Sequence, residues 1–192
     1  MELFAENNHV PIIKEAERAI FREIIMKYQP KRILEIGTAI GYSALLMAQC
    51  GENIKIKTLE LSKERAQIAK SFINRSPYKD DIEIIVGDAG QTLLTLGDDE
   101  IFDMVFIDAA KGQYLDYLQK ILPHLRTNGV IITDNVLFRG YVLSEEKPPR
   151  RYKTIVKRLR EYLQIINDKD KFKTMIYENG DGLAVSEKIN DK

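Results

Sequence analysis

Arg32-Ile-Leu-Glu-Ile36, followed at once by Gly37-Thr-Ala-Ile-Gly41, decides the fold. The first five residues read as a strand, and the two glycines then open a helical pattern at about 41–50. A strand, a glycine turn and a helix make the first part of a βαβ unit. Working outward, strand-like runs recur at Ile54–Leu59, Ile82–Val86, Phe102–Ile107 and Gly129–Thr133. Helical patterns at about 62–75, 89–96 and 113–125 separate them, the first opened by Ser62 as an N-cap with Arg65, Ile68 and Phe72 following. Right-handed crossovers then predict a largely parallel sheet with helices on both faces, an α/β fold. Before it, Ile13, Ala16, Ala19, Ile20 and Ile24 predict an amphipathic helix over Ile12–Tyr28, ended by Pro30. After it come a helix at 151–166 and two strands at 172–177 and 182–187, seven strands in all. No internal repeat or obvious linker appears, so residues 1–192 read as a single domain, with Ser144–Pro149 a polar loop free to move.

The bulk properties restrict what this domain can be. At 192 residues, 44% apolar and 30% charged, the chain is globular and can bury a core without staples. Lys plus Arg and Asp plus Glu stand at 29 each, so any case for nucleic acid must rest on a local patch. Cys50 is the only cysteine, which excludes an internal disulfide and suggests a buried, inert thiol in a reducing compartment. With no apolar leader core and no run approaching about 18 apolar residues, the expectation is a cytoplasmic protein without a membrane partner.

Three strand ends carry the first set of candidate residues. Gly37 and Gly41 allow a backbone turn to approach a ligand closely, but only Gly-x-x-x-Gly is present, short of a dinucleotide fingerprint. Glu35 would suit a ligand bearing an ammonium group, and Glu60, at the second strand end, is placed to accept ribose hydroxyls. Gly87-Asp88-Ala89 follows the third strand, where Asp88 and Ala89 could read an adenine. S-adenosylmethionine has all three parts. The competing reading makes Glu35 to Gly41 a tight turn and nothing more.

The fourth and fifth strands supply a second set. Asp108 ends one, in Phe106-Ile-Asp-Ala-Ala-Lys111, and Asp134-Asn135 ends the other. Two carboxylates and an amide oxygen suit a hard cation such as Mg²⁺ or Mn²⁺, leaving about three octahedral positions for water and a chelating substrate. Lys111 would take a proton from the substrate or stabilise its oxyanion. Against this, Asp108 could be a helix cap, Asp134-Asn135 a turn, and Lys111 a solvated lysine. His9 and His124 do not form a plausible pair, and no Ser-His-Asp order, P-loop or zinc spacing appears.

At these residues the chain resembles the cation-dependent O-methyltransferases of the catechol and caffeoyl-CoA type. The resemblance is carried by Leu34-Glu-Ile-Gly-Thr-Ala-Ile-Gly-Tyr-Ser43, Phe106-Ile-Asp-Ala-Ala-Lys-Gly-Gln-Tyr114, Asp134-Asn-Val-Leu-Phe-Arg-Gly140, Arg150-Arg-Tyr152 and Gly180-Asp-Gly182. It implies a Rossmann-like sheet with an antiparallel C-terminal strand and a homodimer. It also implies that Glu35, Gly37, Ser43, Glu60, Asp88 and Ala89 bind S-adenosylmethionine, with Asp108 counted beside them. Asp108, Asp134 and Asn135 would then bind the metal, and Lys111 would match the family's proposed base, with Asp108 also catalytic. Ala110 departs from the family, where many plant and small-molecule enzymes carry aspartate.

Asp-Ala-Ala-Lys-Gly-Gln-Tyr and Asn-Val-Leu-Phe-Arg-Gly look like the bacterial branch that includes tRNA 5-hydroxyuridine methyltransferases. The 5-hydroxyl and 4-oxo groups of that base are neighbouring oxygens, able to chelate a metal as a catechol does. A wobble base in an anticodon loop can also be splayed into a pocket without melting a helix. Between Arg139 and Arg160 eight basic residues face only Glu145 and Glu146, a net +6, which suits phosphates. Arg139, Arg150 and Arg151 are the candidate RNA contacts. The runner-up substrate is a small catechol-like or phenolic molecule. Two other classes compete: a non-catalytic RNA- or nucleoside-binding module, opposed by the intact Asp108, Lys111, Asp134 and Asn135, and a nicotinamide oxidoreductase, opposed by the missing third glycine.

Overall fold

A computed structural model describes residues 1–190, the side chain of Ala16 excepted. The strands are β1 (Arg32–Ile36), β2 (Lys55–Glu60), β3 (Ile82–Val86), β4 (Phe102–Ile107), β5 (Leu125–Thr133), β6 (Phe172–Tyr177) and β7 (Leu183–Lys188). They follow the order β3-β2-β1-β4-β5-β7-β6 in a seven-stranded mixed sheet. β7 lies antiparallel to both β5 and β6, while β1 with β2, β2 with β3, and β4 with β5 are parallel. The expected α/β class, with its antiparallel C-terminal strand, is the one observed. By packing, the chain divides into two compact units, Met1–Thr92 and Leu93–Lys192.

In the first unit the helices are α1 (Glu2–Asn7), α2 (Glu15–Tyr28), α3 (Tyr42–Ala48), α4 (Lys63–Ile73) and the short α5 (Ala89–Thr92). Ile33, Leu34 and Ile36 are all fully buried, as in a parallel strand covered on both faces. α4 begins as the sequence predicts, with Ser62 Oγ accepting the Arg65 amide at 3.2 Å. α2 ends where Gln29 turns left-handed, its amide bonded to Ile25 O at 2.9 Å, with Pro30 next. α1 was not foreseen: six residues are too few to show a period and too few to be stable alone. Its contacts hold it, Phe4 packing edge-on against Phe72 at 5.4 Å and Glu2 pairing with Arg18 at 2.5 Å. Cys50 departs from the expectation of a buried thiol. It is only partly covered and donates to Leu46 O, and that partial burial still raises its pKa.

The second unit adds α6 (Tyr114–Ile121) and α7 (Lys153–Ile166). β5 starts at Leu125, earlier than its apolar run Gly129–Thr133 suggests. The polar residues before that run stay extended because Leu125 pairs with Phe102 across an irregular register and Arg126 meets Asp103 at 2.9 Å. α7 buries Val156, Leu159, Tyr162 and Ile166, the predicted apolar stripe. Tyr162 lies 2.5 Å from Thr133 Oγ1, and its ring meets that of Tyr114 edge-on at 5.8 Å.

Candidate active site

The register of the first unit places three strand ends side by side, with Ile36 opposite Leu59 and Glu60 opposite Val86. The loop after β1 folds back onto β2, Gly37 and Thr38 both donating to Leu59 O at 3.0 and 3.2 Å. Gly37 at φ +103 and Gly41 at φ +81 supply the left-handed turns. A Cβ on Gly41 would also press on Ile73 Cδ1 at 3.2 Å. Ala39, at φ +48, has its amide held by Glu60 Oε2 at 2.8 Å, while Glu60 Oε1 accepts the Ser62 amide at 2.9 Å. Glu60 therefore shapes the glycine turn as well as ending β2, and each of its oxygens keeps further lone-pair capacity.

Glu35 is fully buried. Its Oε1 accepts the Ser43 hydroxyl and its Oε2 the Thr58 hydroxyl, so a buried carboxylate is satisfied by charge-assisted bonds. Ser43, at the start of α3, is half-buried and reaches solvent where Glu35 does not. The predicted ammonium acceptor thus lies behind a serine. Asp88 caps α5, its Oδ1 accepting the Gln91 amide at 3.0 Å, and Ala89 opens that helix.

In the second unit Asp108 and Asp134 follow directly on β4 and β5. Ile107 pairs with Thr133, and the Asp134 amide continues that ladder to Ile107 O at 3.0 Å. Tyr114 is almost completely buried and donates its hydroxyl to the Asp134 carbonyl at 3.1 Å. Its phenol is held well above the ordinary tyrosine pKa, first by burial and then by the charges of Asp108 and Asp134. Because they directly follow the paired residues Ile107 and Thr133, Asp108 and Asp134 stand at the ends of neighbouring parallel strands. Asn135, at φ +55, follows, its amide bonded to Asp134 Oδ1 at 2.6 Å. Among the described residues no three His, Cys, Asp or Glu side chains gather as a metal cluster. The candidate set has two carboxylates and an amide, and that hard-oxygen chemistry fits Mg²⁺. Lys111 is half-buried at the head of a 3-10 turn, Lys111–Gln113, whose Gly112 O accepts from Arg158 Nη1 at 2.7 Å.

The next loop is built on the β6–β7 turn. Val136 and Leu137 donate to Gly182 O and Asp181 O at 3.0 and 2.8 Å, and the Arg139 amide donates to Asp181 Oδ1 at 3.1 Å. These bonds hold Phe138 and Arg139 at φ +41 and +55, a conformation such residues rarely adopt. Phe138, Tyr141 and Tyr152 form an aromatic trio with centroids 5.2 to 6.4 Å apart. Arg139 and Arg151 stack on Tyr152 at 5.6 and 4.6 Å. Arg150 is exposed.

The basic stretch is more structural than its charge suggests. Arg160 donates to the carbonyls of Tyr141, Val142 and Ser144, and Arg158 holds Gly112. Sequence reasoning quoted Tyr114, Asp181 and Gly182 within motifs but gave them no role, and it missed Thr58. The Gly-Asp-Gly pattern was the available signal for the turn. Nothing in the chain marks Thr58, whose role depends on its neighbour in the next strand. His124 Nδ1 lies 3.0 Å from Glu100 O and His9 is exposed, away from this chemistry.

Comparison with known proteins places the chain in a family. The O-methyltransferase family model matches residues 3–189, and the chain belongs to that family. It is 38% identical over 118 residues to a catechol O-methyltransferase of Mycobacterium tuberculosis, covering 61% of this chain and 53% of that one. The chain spans about half the length of the curated catechol-type relatives it matches. A Staphylococcus aureus structure, whose caffeoyl-CoA O-methyltransferase activity is an inferred one, superposes with a TM-score of 0.88 at 34% identity, over 97% and 90% of the two chains. A Bacillus cereus O-methyltransferase in complex with SAH gives 0.86 at 26% identity, over 97% and 87%.

Proposed function

We propose that this protein is an S-adenosylmethionine- and divalent-metal-dependent O-methyltransferase acting on a hydroxyl that has a second oxygen beside it. When bound, the cofactor supplies an electrophilic methyl group, and the metal fixes and acidifies the chelating hydroxyl. The single observation carrying this reading is the placing of Asp108 and Asp134 directly after the paired ends of β4 and β5, alongside the SAH complex of the Bacillus cereus relative.

Each residue then has a task. Ser43 commits its proton to Glu35, so its oxygen is presented as an acceptor backed by a carboxylate, the polarity an ammonium requires. Glu60 receives the ribose hydroxyls while its bonds to Ala39 and Ser62 hold it still. Gly37 keeps the turn open to the ligand, and Asp88 and Ala89 flank the adenine. Asp108, Asp134 and Asn135 hold the metal through oxygen. Lys111 takes the proton from the substrate hydroxyl. Holding the nucleophile and the methyl in line, with water excluded, supplies most of the acceleration.

The favoured substrate is 5-hydroxyuridine at the tRNA wobble position. The reading is supported by the aromatic trio flanked by Arg139, Arg150 and Arg151, because exposed bases stack on such surfaces. A small catechol is the second reading, and the resemblance to catechol O-methyltransferases favours it. Labelled methyl transfer to tRNA containing 5-hydroxyuridine, with a catechol in parallel and chelator controls for both, tests the choice. Chelator-sensitive labelling of tRNA alone is the expected result. Labelling of catechol alone would replace the substrate, and labelling of neither would remove the enzyme reading.

A further inference from the structure

The outer side of α7 carries a groove of about 530 Å³, formed with the 144–149 loop and lined by Lys147, Lys153, Lys157 and Arg160, with Glu161 the one acid. None of the residues assigned to the cofactor or the metal lines it. We propose that this groove is a binding site for the phosphodiester backbone of a single-stranded RNA segment; the identity of that RNA as substrate rests on the reading above.

The charges are arranged for a polyanion. Lys153, Lys157 and Arg160 recur at one-turn spacing along a single face of α7, successive residues of the row about 4.5–6 Å apart along the axis. Lys147 stands on the facing loop. A pocket for one phosphate would instead converge its donors on a point. The far wall is tied down, since Arg160 holds the carbonyls of Tyr141, Val142 and Ser144 to α7. Lys147 and Lys153 have no ion-pair partner among the described residues, and the Lys157–Glu161 contact is a loose 3.8 Å.

The groove also borders, through the chain, on a set of aromatic rings. Lys153 follows Tyr152 in the chain, and Tyr152 belongs to the aromatic trio with Phe138 and Tyr141. A basic track beside aromatic rings is the combination by which single strands are held, the rings taking bases and the track their phosphates. Bases stacked at the trio would send the adjoining backbone along α7.

Binding of a labelled anticodon stem-loop RNA, followed by fluorescence anisotropy across a salt series, tests this. The variants are Lys153→Glu with Lys157→Glu, and, as a charge-matched control on α4, Lys63→Glu with Lys70→Glu. The groove pair is expected to weaken binding on the order of tenfold at low salt. It should also lower the slope of log Kd against log salt by about 1.4, roughly 0.7 for each lost phosphate contact. The control pair should do neither, and matching thermal melts of the two variants rule out misfolding. Equal effects from both pairs, no effect from either, or no RNA binding by the wild type would overturn the proposal. So would acetylation footprinting in which coenzyme A protects Lys147, Lys153 and Lys157 and RNA does not. Because binding is read without methyl transfer, groove-dependent binding of an RNA that is never methylated supports the groove while removing the substrate reading.

Discussion

The phenol of Tyr114 donates to the main-chain oxygen of Asp134 at 3.1 Å, and it does so from a position where the charges of Asp108 and Asp134 both act on it. A buried side chain on α6 thereby fixes the residue at which β5 delivers its carboxylate. If Asp134 holds a metal as proposed, a group that orients it typically matters by 10–100-fold in metal affinity or activity. Tyr114→Phe should weaken Mg²⁺ activation by about tenfold while leaving S-adenosylmethionine affinity unchanged. Metal titration of initial rates checks it, and an unaltered activation constant would contradict the role.

On the metal reading, Asp134→Ala would remove a ligand rather than its support. The expected loss in kcat/KM is on the order of a hundredfold or more, the scale of a lost metal contribution. Chelator should abolish wild-type activity and added Mg²⁺ restore it. Activity that survives exhaustive chelation would end the metal reading.

Ser43→Ala takes one hydroxyl from the fully buried Glu35. A buried charged acceptor left short of a donor costs about 1–3 kcal/mol, which a lower urea midpoint would register. If Ser43 also receives the ligand's ammonium, cofactor affinity measured by calorimetry should fall about tenfold. Unchanged affinity with lowered stability would make the serine purely structural.

Gly182→Ala strikes the support of the Asn135–Gly140 loop. Gly182 sits at φ +85, and a Cβ there would lie 2.3 Å from Leu137 Cγ, so the side chain and the Val136 and Leu137 bonds must shift together. The expected destabilisation is about 1–3 kcal/mol, with a larger loss of activity than stability explains. A full-activity, full-stability variant would show that the loop tolerates rearrangement.

Tyr114 and Tyr162 both have raised phenol pKa values, for each chiefly because burial disfavours the phenolate. In the unfolded chain they titrate near 10. Above that pH the unfolded state loses protons that the native state keeps, so stability present below about pH 10 is lost as pH rises toward the folded values. The slope is about 1.4 kcal/mol per pH unit for each residue. Urea melts from pH 9 to 11 check it, and a flat midpoint would show that these phenols ionise in the native state.

Much of the fold could be read from local pattern because its elements obey local rules. Runs such as Phe102–Ile107 alternate with amphipathic helices, Ser62 caps, and glycines stand where the backbone turns left-handed. The ends of those runs also placed Glu35 and Glu60 in the first unit, and Asp108 and Asp134 in the second, at one kind of position, since neighbouring parallel strands present their last residues on a common edge. α1 was illegible because a six-residue helix exists only through its contacts with Phe72 and Arg18. The early start of β5 was illegible because Arg126 is held extended by Asp103 across the ladder, against its own turn-like neighbours.

What the sequence by itself determined is therefore the order of elements, the residue types at the strand ends and the charge of the 139–160 stretch. Tertiary structure alone decided how those groups are used. It set Ser43 in front of Glu35, bonded Tyr114 to the main chain of Asp134, and assigned Arg158 and Arg160 to holding carbonyls while leaving Lys147 and Lys153 lining a groove. The physical reason is the range of the forces involved. Propensity and periodicity act over a few residues, whereas satisfying a buried carboxylate or pinning a guanidinium depends on partners far apart in the chain, which only the packed fold brings together.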